Sequence, residues 1–395
     1  MKNTFRKSLS LLLALMMIVA VMLSATACGG GNGGDGDPDD KGSAGRGDFI
    51  ESLGGVSDTF KGAVSEEGYE SATDAAAAFV EEEVAGEGDV TVVNAVSKGE
   101  VSASSINIPE EYTDGIVSVE EYEVEYSLSE GASFISTENS NKKIKVYIIK
   151  YESEWKYFTP APITGETISK SYYDSVFNAE RYKNCTYKTS MTMNMDMTAK
   201  IMGETQTMNM TMSMSQLVKH AAGKLYLEMT TAMTSSFPDM MGDGGNTTIK
   251  AYVEEVDGEL MCYADIGDGE GWRETSLGIV GFGSLDELAP FSDQYIDYSY
   301  FTKTDYGFKI ADENASKFID ELYSDLLFMY DESFGIDMFA EYYVSDGVLS
   351  GMRMDMDMDI NMMQEDGSVT GGADIVVTTT CTDYGTTAFD KPAMN

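Results

Sequence analysis

Residues 352–362 read Met-Arg-Met-Asp-Met-Asp-Met-Asp-Ile-Asn-Met, and this strict alternation of apolar and polar side chains decides the fold. A period of two places successive side chains on opposite faces of a β-strand, so the stretch predicts a strand with one buried and one wet face. The same alternation occurs in residues 191–197 (MTMNMDM) and 208–214 (MNMTMSM). Residues 199–206 separate these two runs around Gly203, which suits an antiparallel hairpin.

Other segments between residue 167 and the end of the chain extend this pattern into a large sheet. Because so many of the segments have a wet face, antiparallel pairing is predicted. The further strands are predicted at 223–234, 247–257, 259–266, 297–310, 338–346 and 371–383.

Two helices are predicted to cover the apolar face of this sheet, since a one-sided sheet needs a covering layer. The first begins at a capping box formed by Ser284 and Glu287 and ends near Pro290. The second spans residues 314–330 and repeats apolar residues at helical spacing. Its apolar face consists of Ala315, Ile319, Leu322, Leu326 and Met329.

A smaller α+β domain is predicted for residues 49–160. Ser71 has the features of an N-cap, with Asp74 three residues on, and opens a helix through Val84. Glu81, Glu82 and Glu83 oppose the dipole at the end of this helix, so the end is expected to fray. Strands are predicted at 89–95 and 115–128, with a hairpin over 143–158 turning near Glu152 and Ser153. Prolines and a glycine follow as a linker at Pro160, Pro162 and Gly165.

The first 27 residues have the pattern of a secretory signal peptide. Three basic residues precede an apolar run from Leu9 to Leu23, which is too short to span a bilayer comfortably, and Ala25-Thr26-Ala27 follows. Cys28 lies directly after this site, as in the lipobox of bacterial lipoproteins, where the cysteine becomes acylated. Ala25 stands where a lipobox usually has leucine, so ordinary Ala-x-Ala cleavage is the alternative. Residues 28–48 are rich in Gly and Asp and are predicted to be a flexible tether.

The charge of the chain excludes nucleic acid as a partner. The formal net charge is −41 at pH 7, with 26 Lys and Arg against 67 Asp and Glu. Such a surface repels phosphate backbones and anionic lipid headgroups. Membrane contact is therefore expected only through the lipid on Cys28. The lipoprotein signal predicts a location at the outer face of the cytoplasmic membrane, in a Gram-positive-type bacterium.

No catalytic or metal site can be assembled from the sequence. His220, the only histidine, is predicted to be an exposed residue in a turn-like segment between two strands, which excludes His-based triads and zinc clusters. Asp355, Asp357 and Asp359 are interpreted as solvated acids that protect a sheet edge. The three cysteines after Cys28 are predicted to be buried thiols, with one disulfide among them as the alternative. They are Cys185, Cys262 and Cys381.

Aromatic residues between positions 295 and 308 are interpreted as half-buried strand side chains, with a sugar-stacking surface as the alternative. They are Tyr295, Tyr298, Tyr300, Phe301, Tyr306 and Phe308.

The methionine stripes support three hypotheses. Thioether side chains are flexible and fill irregular gaps, so the first hypothesis is an ordinary core. The second is a groove for an apolar ligand between sheet and helices, because such surfaces repack around different partners. The third is a Cu(I) site, since thioethers are soft ligands. The groove would be lined by Met193, Met195, Met210, Met212, Met354, Met356, Leu322 and Leu326.

The lipobox, the one-sided antiparallel sheet and the late helices resemble the LolA/LppX-like lipoproteins. The final strand, followed by Asp383-Tyr384-Gly385-Thr386-Thr387 and Pro392, also fits that resemblance. The resemblance implies a half-barrel whose concave face is plugged by helices, and lipids or lipid anchors handled between them. The opening helix and final hairpin of residues 49–160 resemble a small nuclear-transport-factor-2-like (cystatin-like) domain.

The sequence therefore predicts an α+β protein with a large curved antiparallel sheet, a half-barrel covered by helices, preceded by a small α+β domain. The expected function is that of a lipid-anchored, non-enzymatic binding protein that uses no cofactor and takes a lipid or other apolar ligand. An envelope-associated structural or interaction module without a small ligand is the alternative, followed by a methionine-based Cu(I)-binding protein.

Lipidation of Cys28 is tested by its replacement. We expect Cys28→Ser to abolish incorporation of a clickable palmitate analogue and to release the protein from membranes, because the acyl chains are the anchor. Cys185→Ser is the matched control and should keep both label and membrane association. Wild-type protein that is unlabelled and secreted would instead indicate ordinary signal cleavage.

Overall fold

The computed structural model describes most of the chain after residue 44. The predicted signal peptide, Cys28 and the tether up to residue 44 lie outside the described residues. The described ranges are 45–54, 56–84, 89–129, 141–201, 204–221, 223–236, 247–256, 259–275, 298–319, 334–364 and 367–393.

The chain folds into two antiparallel sheets, which confirms the predicted α+β class with a large curved sheet preceded by a smaller unit. The small sheet contains five strands in the order β1-β5-β4-β3-β2. Its strands are β1 Gly62–Val64, β2 Asp89–Glu100, β3 Ser118–Ser129, β4 Lys142–Lys150 and β5 Trp155–Pro160.

The large sheet contains eleven strands in the order β11-β10-β9-β8-β7-β6-β16-β15-β14-β13-β12 and is not closed. Its first six strands are β6 Cys185–Ile201, β7 Glu204–Ala221, β8 Lys224–Ser235, β9 Thr247–Val256, β10 Glu259–Asp265 and β11 Arg273–Thr275. The remaining five are β12 Phe301–Thr304, β13 Gly307–Ile310, β14 Phe334–Ser345, β15 Val348–Gln364 and β16 Gly367–Thr382.

Helices are few and short in the described chain. The α-helices are α1 Arg46–Ser52, α2 Ala72–Glu83, α3 Lys170–Val176 and α4 Ala179–Tyr182. Single 3-10 turns occur at Ala103–Ser105, Glu110–Tyr112, Tyr298–Tyr300 and Asp312–Asn314. The predicted helix over 314–330 is helical from 315 to 319, where the described range ends, and the predicted helix at Ser284 lies outside the described residues. Among the described residues, no helix has the length and apolarity required to cross a bilayer.

The small sheet packs one face against α2. Ser71 caps this helix as predicted, its hydroxyl accepting a hydrogen bond from the Asp74 N–H at 3.1 Å. Alanines on the inner side of α2, together with Phe79 and Val80, pack against the tyrosines and aliphatic residues of β3, β4 and β5. The opposite face of the sheet carries a second apolar cluster, covered by the loop at residues 101–116.

The acidic end of α2, predicted to fray, is held by hydrogen bonds to two of its three glutamates. Glu82 accepts hydrogen bonds from the hydroxyls of Tyr69 at 2.8 Å and Tyr157 at 2.7 Å. Glu83 is 7% exposed and accepts hydrogen bonds from the backbone N–H and hydroxyl of Ser171 in the first turn of α3. Burial raises the pKa of Glu83, against the opposing effect of these hydrogen bonds. The carboxylate therefore caps the next helix and joins α2 to the large-sheet region.

Residues 46–60, which span the predicted end of the tether and the predicted start of the small domain, contact the large sheet. The guanidinium of Arg46 donates two hydrogen bonds of 2.7 Å to Glu341, whose side chain is 1% exposed. Asp58 accepts a hydrogen bond of 2.6 Å from the Tyr172 hydroxyl and lies 3.2 Å from the Lys303 ammonium. The helix α1 thus begins two residues before the predicted end of the tether, and it holds the first described residues to the large sheet.

A glycine on β15 makes room for α1. An ideal Cβ at Gly351 would lie 2.9 Å from Leu53 Cδ2 and 3.2 Å from Phe49 Cζ, both on the N-terminal segment. It would also lie 2.5 Å from the Thr379 carbonyl oxygen of the neighbouring strand. Phe49 in turn packs edge-on against Tyr343, with ring centroids 5.4 Å apart.

We expect Gly351→Ala to lower the free energy of unfolding by about 1–3 kcal/mol, because the methyl group overpacks this contact. Urea unfolding followed by circular dichroism measures the change. Gly335→Ala is the matched control, since its Cβ would meet Asp359 Cβ at an ordinary 3.5 Å. Equal stability of the two variants would contradict the close packing of Thr379 and α1 around Gly351.

Loss of the Arg46 guanidinium should also destabilise the protein. In Arg46→Ala the buried Glu341 carboxylate keeps its hydrogen bond from the Tyr343 hydroxyl but loses its cation. We expect the free energy of unfolding to fall by about 2–3 kcal/mol. Lys309→Ala removes an exposed pair with Asp312 and should change stability by less than about 1 kcal/mol. The comparison uses denaturant midpoints at constant m-value, and a negligible effect of Arg46→Ala would show that α1 contributes little to docking.

Candidate functional site: the methionine face

The methionine runs lie side by side on one face of the large sheet. The methionine face consists of Met191, Met193, Met195, Met197, Met208, Met210, Met212, Met214, Met352, Met354, Met356 and Met358. Antiparallel register places Met193 opposite Met212 on β7 and opposite Ile375 on β16. One continuous row crosses six strands in the order Met233, Met212, Met193, Ile375, Met356 and Met338.

All twelve members of the methionine face are 8% exposed or less. The six methionines predicted to line a groove are all 3% exposed or less: Met193, Met195, Met210, Met212, Met354 and Met356. The structure thus brings these six together on one surface, as their shared period of two requires. Leu322 and Leu326, the predicted helical wall, lie outside the described residues.

A helix that the sequence analysis did not predict contributes to the cover of this face. Tyr172, Tyr173 and Val176 of α3 belong to the same apolar cluster as the methionines. Ser169 caps α3 by accepting a hydrogen bond from the Tyr172 N–H at 3.2 Å, and this serine was the available signal. Phe318 and Ile319 at the start of the later helix also join the cluster, as the predicted apolar spacing implied for Ile319.

One end of the face is closed by aromatic rings. Phe308 stacks on Tyr342 with ring centroids 5.1 Å apart, and Phe301 meets Phe308 edge-on at 5.2 Å. Tyr298, Tyr300, Phe301 and Phe308 are each 9% exposed or less, so their rings are not offered to solvent. The alternative of a sugar-stacking surface formed by these residues is therefore wrong, while Tyr295 lies outside the described residues.

Buried thiols and the histidine lie beyond the methionines, at the same strand ends as Tyr342. Cys185 pairs with His220 across β6 and β7, and Cys381 lies on the neighbouring strand β16 opposite Tyr187. Burial raises the pKa of both thiols, that of Cys381 to about 12, so they stay protonated and unreactive. Together with Cys262 they are free and buried, as predicted, rather than joined in a disulfide.

The prediction of an exposed, loop-borne His220 is wrong. The residue lies within β7, is 4% exposed, and its Nδ1 is 3.1 Å from the Tyr182 carbonyl oxygen. Its even number shares the parity of Met208 and Val218 on the same strand, and this was the signal in the sequence. Extending the alternation past Met214 would have placed it on the buried face.

The opposite face of the same strands is polar. Asp355, Asp357 and Asp359 alternate with the methionines on β15, which pairs with β14 on one side and β16 on the other. Their interpretation as edge protection is wrong because β15 lies inside the sheet. Register aligns Asp337, Asp357 and Asp374 in one row across three strands. Within the described chain, no group of three or more His, Cys, Asp or Glu side chains is arranged to hold a metal ion.

The methionine face can exert only weak, short-range forces on a ligand. Thioethers carry no formal charge and donate no hydrogen bonds, and their contribution is dispersion and the removal of apolar surface from water. Side chains on one face lie ~7 Å apart along a strand and ~5 Å apart between strands. Such a surface suits an extended apolar molecule and gives no fixed point for a polar one.

Comparison with known proteins adds little to this geometry. No protein-family model and no curated protein matches the sequence. A DUF1329 family protein from Desulfovibrio piger is 10% identical with a TM-score of 0.17, covering 53% of this chain and 90% of its own. A putative outer membrane lipoprotein-sorting protein domain from Vibrio parahaemolyticus is 9% identical with a TM-score of 0.14, covering 52% and 90%. At such TM-scores neither likeness supports an argument, so the LolA/LppX-like and nuclear-transport-factor-2-like resemblances stay predictions.

Proposed function

We propose that the protein is a lipid-anchored, extracytoplasmic, non-enzymatic binding protein whose methionine face takes an apolar ligand, an acyl chain above all. The observation that carries the proposal is the continuous row of thioether and aliphatic side chains across six strands. A sheet that needed only a core could use branched residues with better-defined rotamers. A surface made mostly of methionines provides a wall that repacks around a flexible ligand.

The dimensions of the face fit such a ligand. Six strands at ~4.8 Å spacing span roughly 24 Å, the scale of a long acyl chain lying across the strands. Along each strand the methionine face is several residues deep, so a chain could lie in more than one register. This tolerance favours a class of ligands that varies in length over a single rigid compound.

The N-terminal sequence supports the location in the proposal. A signal peptide followed by Cys28 would deliver the chain to the outer side of the cytoplasmic membrane and anchor it there. A protein held at a lipid surface has immediate access to acyl chains, whereas its acidic exterior keeps the folded part from lying on anionic headgroups.

A second candidate is an interaction module with no small ligand, and one observation favours it. The six central methionines are already 3% exposed or less, which is the burial expected of a filled core. A Cu(I) site formed by facing methionines such as Met193 and Met212 is the third candidate. An anaerobic Cu(I) titration with a competing chelator tests it, and absence of binding would remove it.

Met193→Trp separates a ligand space from a packed core. Native mass spectrometry of the Cys28→Ser chain, purified without detergent, should show a co-purifying acyl-containing mass that organic solvent removes. If ligand fills space beside Met193, the larger indole should displace that mass while leaving the midpoint of thermal unfolding nearly unchanged. If the face is a solid core, the indole should overpack it and lower the free energy of unfolding by about 1–3 kcal/mol. In that case no bound mass should be present in either protein.

Met261→Trp is the matched control. Met261 lies on β10 beside the buried Cys262 and therefore points to the opposite face of the sheet. This variant should keep both the bound mass and the stability of the unsubstituted chain. A clean apo mass for every variant, together with a destabilised Met193→Trp, would overturn the binding proposal and favour the interaction module.

A further inference from the structure

A second aromatic surface lies on the other side of the large sheet, away from the methionine face. Register places Tyr226, Tyr252 and Tyr263 side by side on β8, β9 and β10, and this trio is named the tyrosine row. Trp272 extends it, its ring centroid 6.4 Å from that of Tyr226. None of the four belongs to the apolar clusters that form the cores of the two sheets in the described chain.

The chain's own C-terminal segment, residues 388–393, crosses this row. The Phe389 ring packs against Tyr252 and Tyr226, with centroids 6.2 and 6.4 Å away. Tyr252 is 0% exposed as a result of this and neighbouring contacts, although its strand face is otherwise polar. The segment therefore covers apolar surface that would be wet without it.

Two residues further on, Lys391 is held in the manner of a bound ammonium ligand. Its Nζ lies 4.2 Å from the centroid of the Tyr263 ring and 2.6 Å from Glu254 Oε1. The Tyr252 hydroxyl donates a 2.9 Å hydrogen bond to Glu254 Oε2 and fixes the carboxylate in place. An aromatic face beside an oriented carboxylate is an arrangement that recognises a cation. The hydrogen bond from Lys391 lowers the pKa of Glu254, so the carboxylate remains charged.

The segment is attached lightly compared with the chain before it. Up to Thr387 the backbone is fixed, with the Thr387 N–H donating to Asn184 Oδ1 at 2.9 Å and the Gly385 N–H to the Asn184 carbonyl at 2.8 Å. Within the described structure, the hydrogen bonds, ion pair and ring contacts of residues 388–393 all come from the side chains of Phe389 and Lys391.

We propose that the tyrosine row is a binding surface for an extended peptide segment of a protein partner. That segment has an aromatic residue and, two positions later, a lysine. In this structure residues 388–393 of the same chain occupy the surface. Residues two apart in an extended chain point the same way, which matches the spacing of the ring site and the ammonium site.

Charge selects the kind of partner. Glu228 and Glu254 border the tyrosine row, held by the Tyr226 and Tyr252 hydroxyls, and Asp265 lies on the same face of β10. The whole chain has a net charge of −41, so an acidic peptide would be repelled and a basic one attracted. The surface is separate from the methionine face, so this inference does not depend on the proposed apolar ligand.

The test removes the two side chains that cover the tyrosine row and adds the C-terminal segment as a separate peptide. Phe389→Ala/Lys391→Ala in the full chain should bind a fluorescent peptide of residues 385–395 (GTTAFDKPAMN), measured by anisotropy, with a Kd on the order of 0.1 mM. The unsubstituted chain should bind at least tenfold more weakly, because its own segment competes at an effective concentration of ~1 mM. Peptides with Phe389→Ala or Lys391→Glu should each lose at least tenfold in affinity.

Controls keep the outcome interpretable. Asp390→Ala changes an exposed residue of the same segment and should bind peptide as weakly as the unsubstituted chain. Lys391→Ala alone removes a side chain that is 39% exposed and should give intermediate binding even if the double variant proves unstable. Absence of peptide binding to folded Lys391→Ala and double variants would overturn the proposal, as would equal binding to open and unsubstituted chains.

Discussion

The fold depends on one constraint, the burial of every second side chain along the long strands of the large sheet. In residues 191–197 of β6, 208–214 of β7 and 354–358 of β15 the buried side chains are methionines, and the side chains between them are Thr, Asn, Ser or Asp. A shift of register by one residue would move the polar set into the core and the thioethers into water. The cost of that exchange, about 0.8 kcal/mol for each exposed methylene, fixes the pairing along the whole sheet.

Features that depend on local periodicity could be read from the sequence. The alternation in residues 191–197, 208–214 and 352–362 predicted three strands that the structure contains, and the methionines of the first two runs and of residues 352–358 are buried. Ser71 and Asp74 predicted the start of α2, and the hairpin turn near Glu152 lies between β4 and β5 as expected. In each case a side chain acts on residues within a few positions, so no knowledge of the rest of the chain was needed.

Features that depend on distant contacts could not be read in the same way. Nothing near Glu83 indicates that it will cap a helix 88 residues later, and nothing near Arg46 indicates a carboxylate 295 residues away. The helix α3 is short, and its role follows from packing on a surface assembled from other strands. Of the candidate site, the sequence supplied which methionines share a face, while the row that joins them required the order of the strands.

The enclosure of the methionine face also bears on the chemical lifetime of the protein. Thioethers are oxidised to sulfoxides, which are polar and no longer fit an apolar surface. Here the susceptible sulfur atoms are sheltered from solvent, so an oxidant reaches them only when the sheet opens. Because each sulfoxide would then oppose closure of the sheet, damage would be cumulative. The sulfoxide content of these methionines in an aged sample would therefore record how often the molecule had opened.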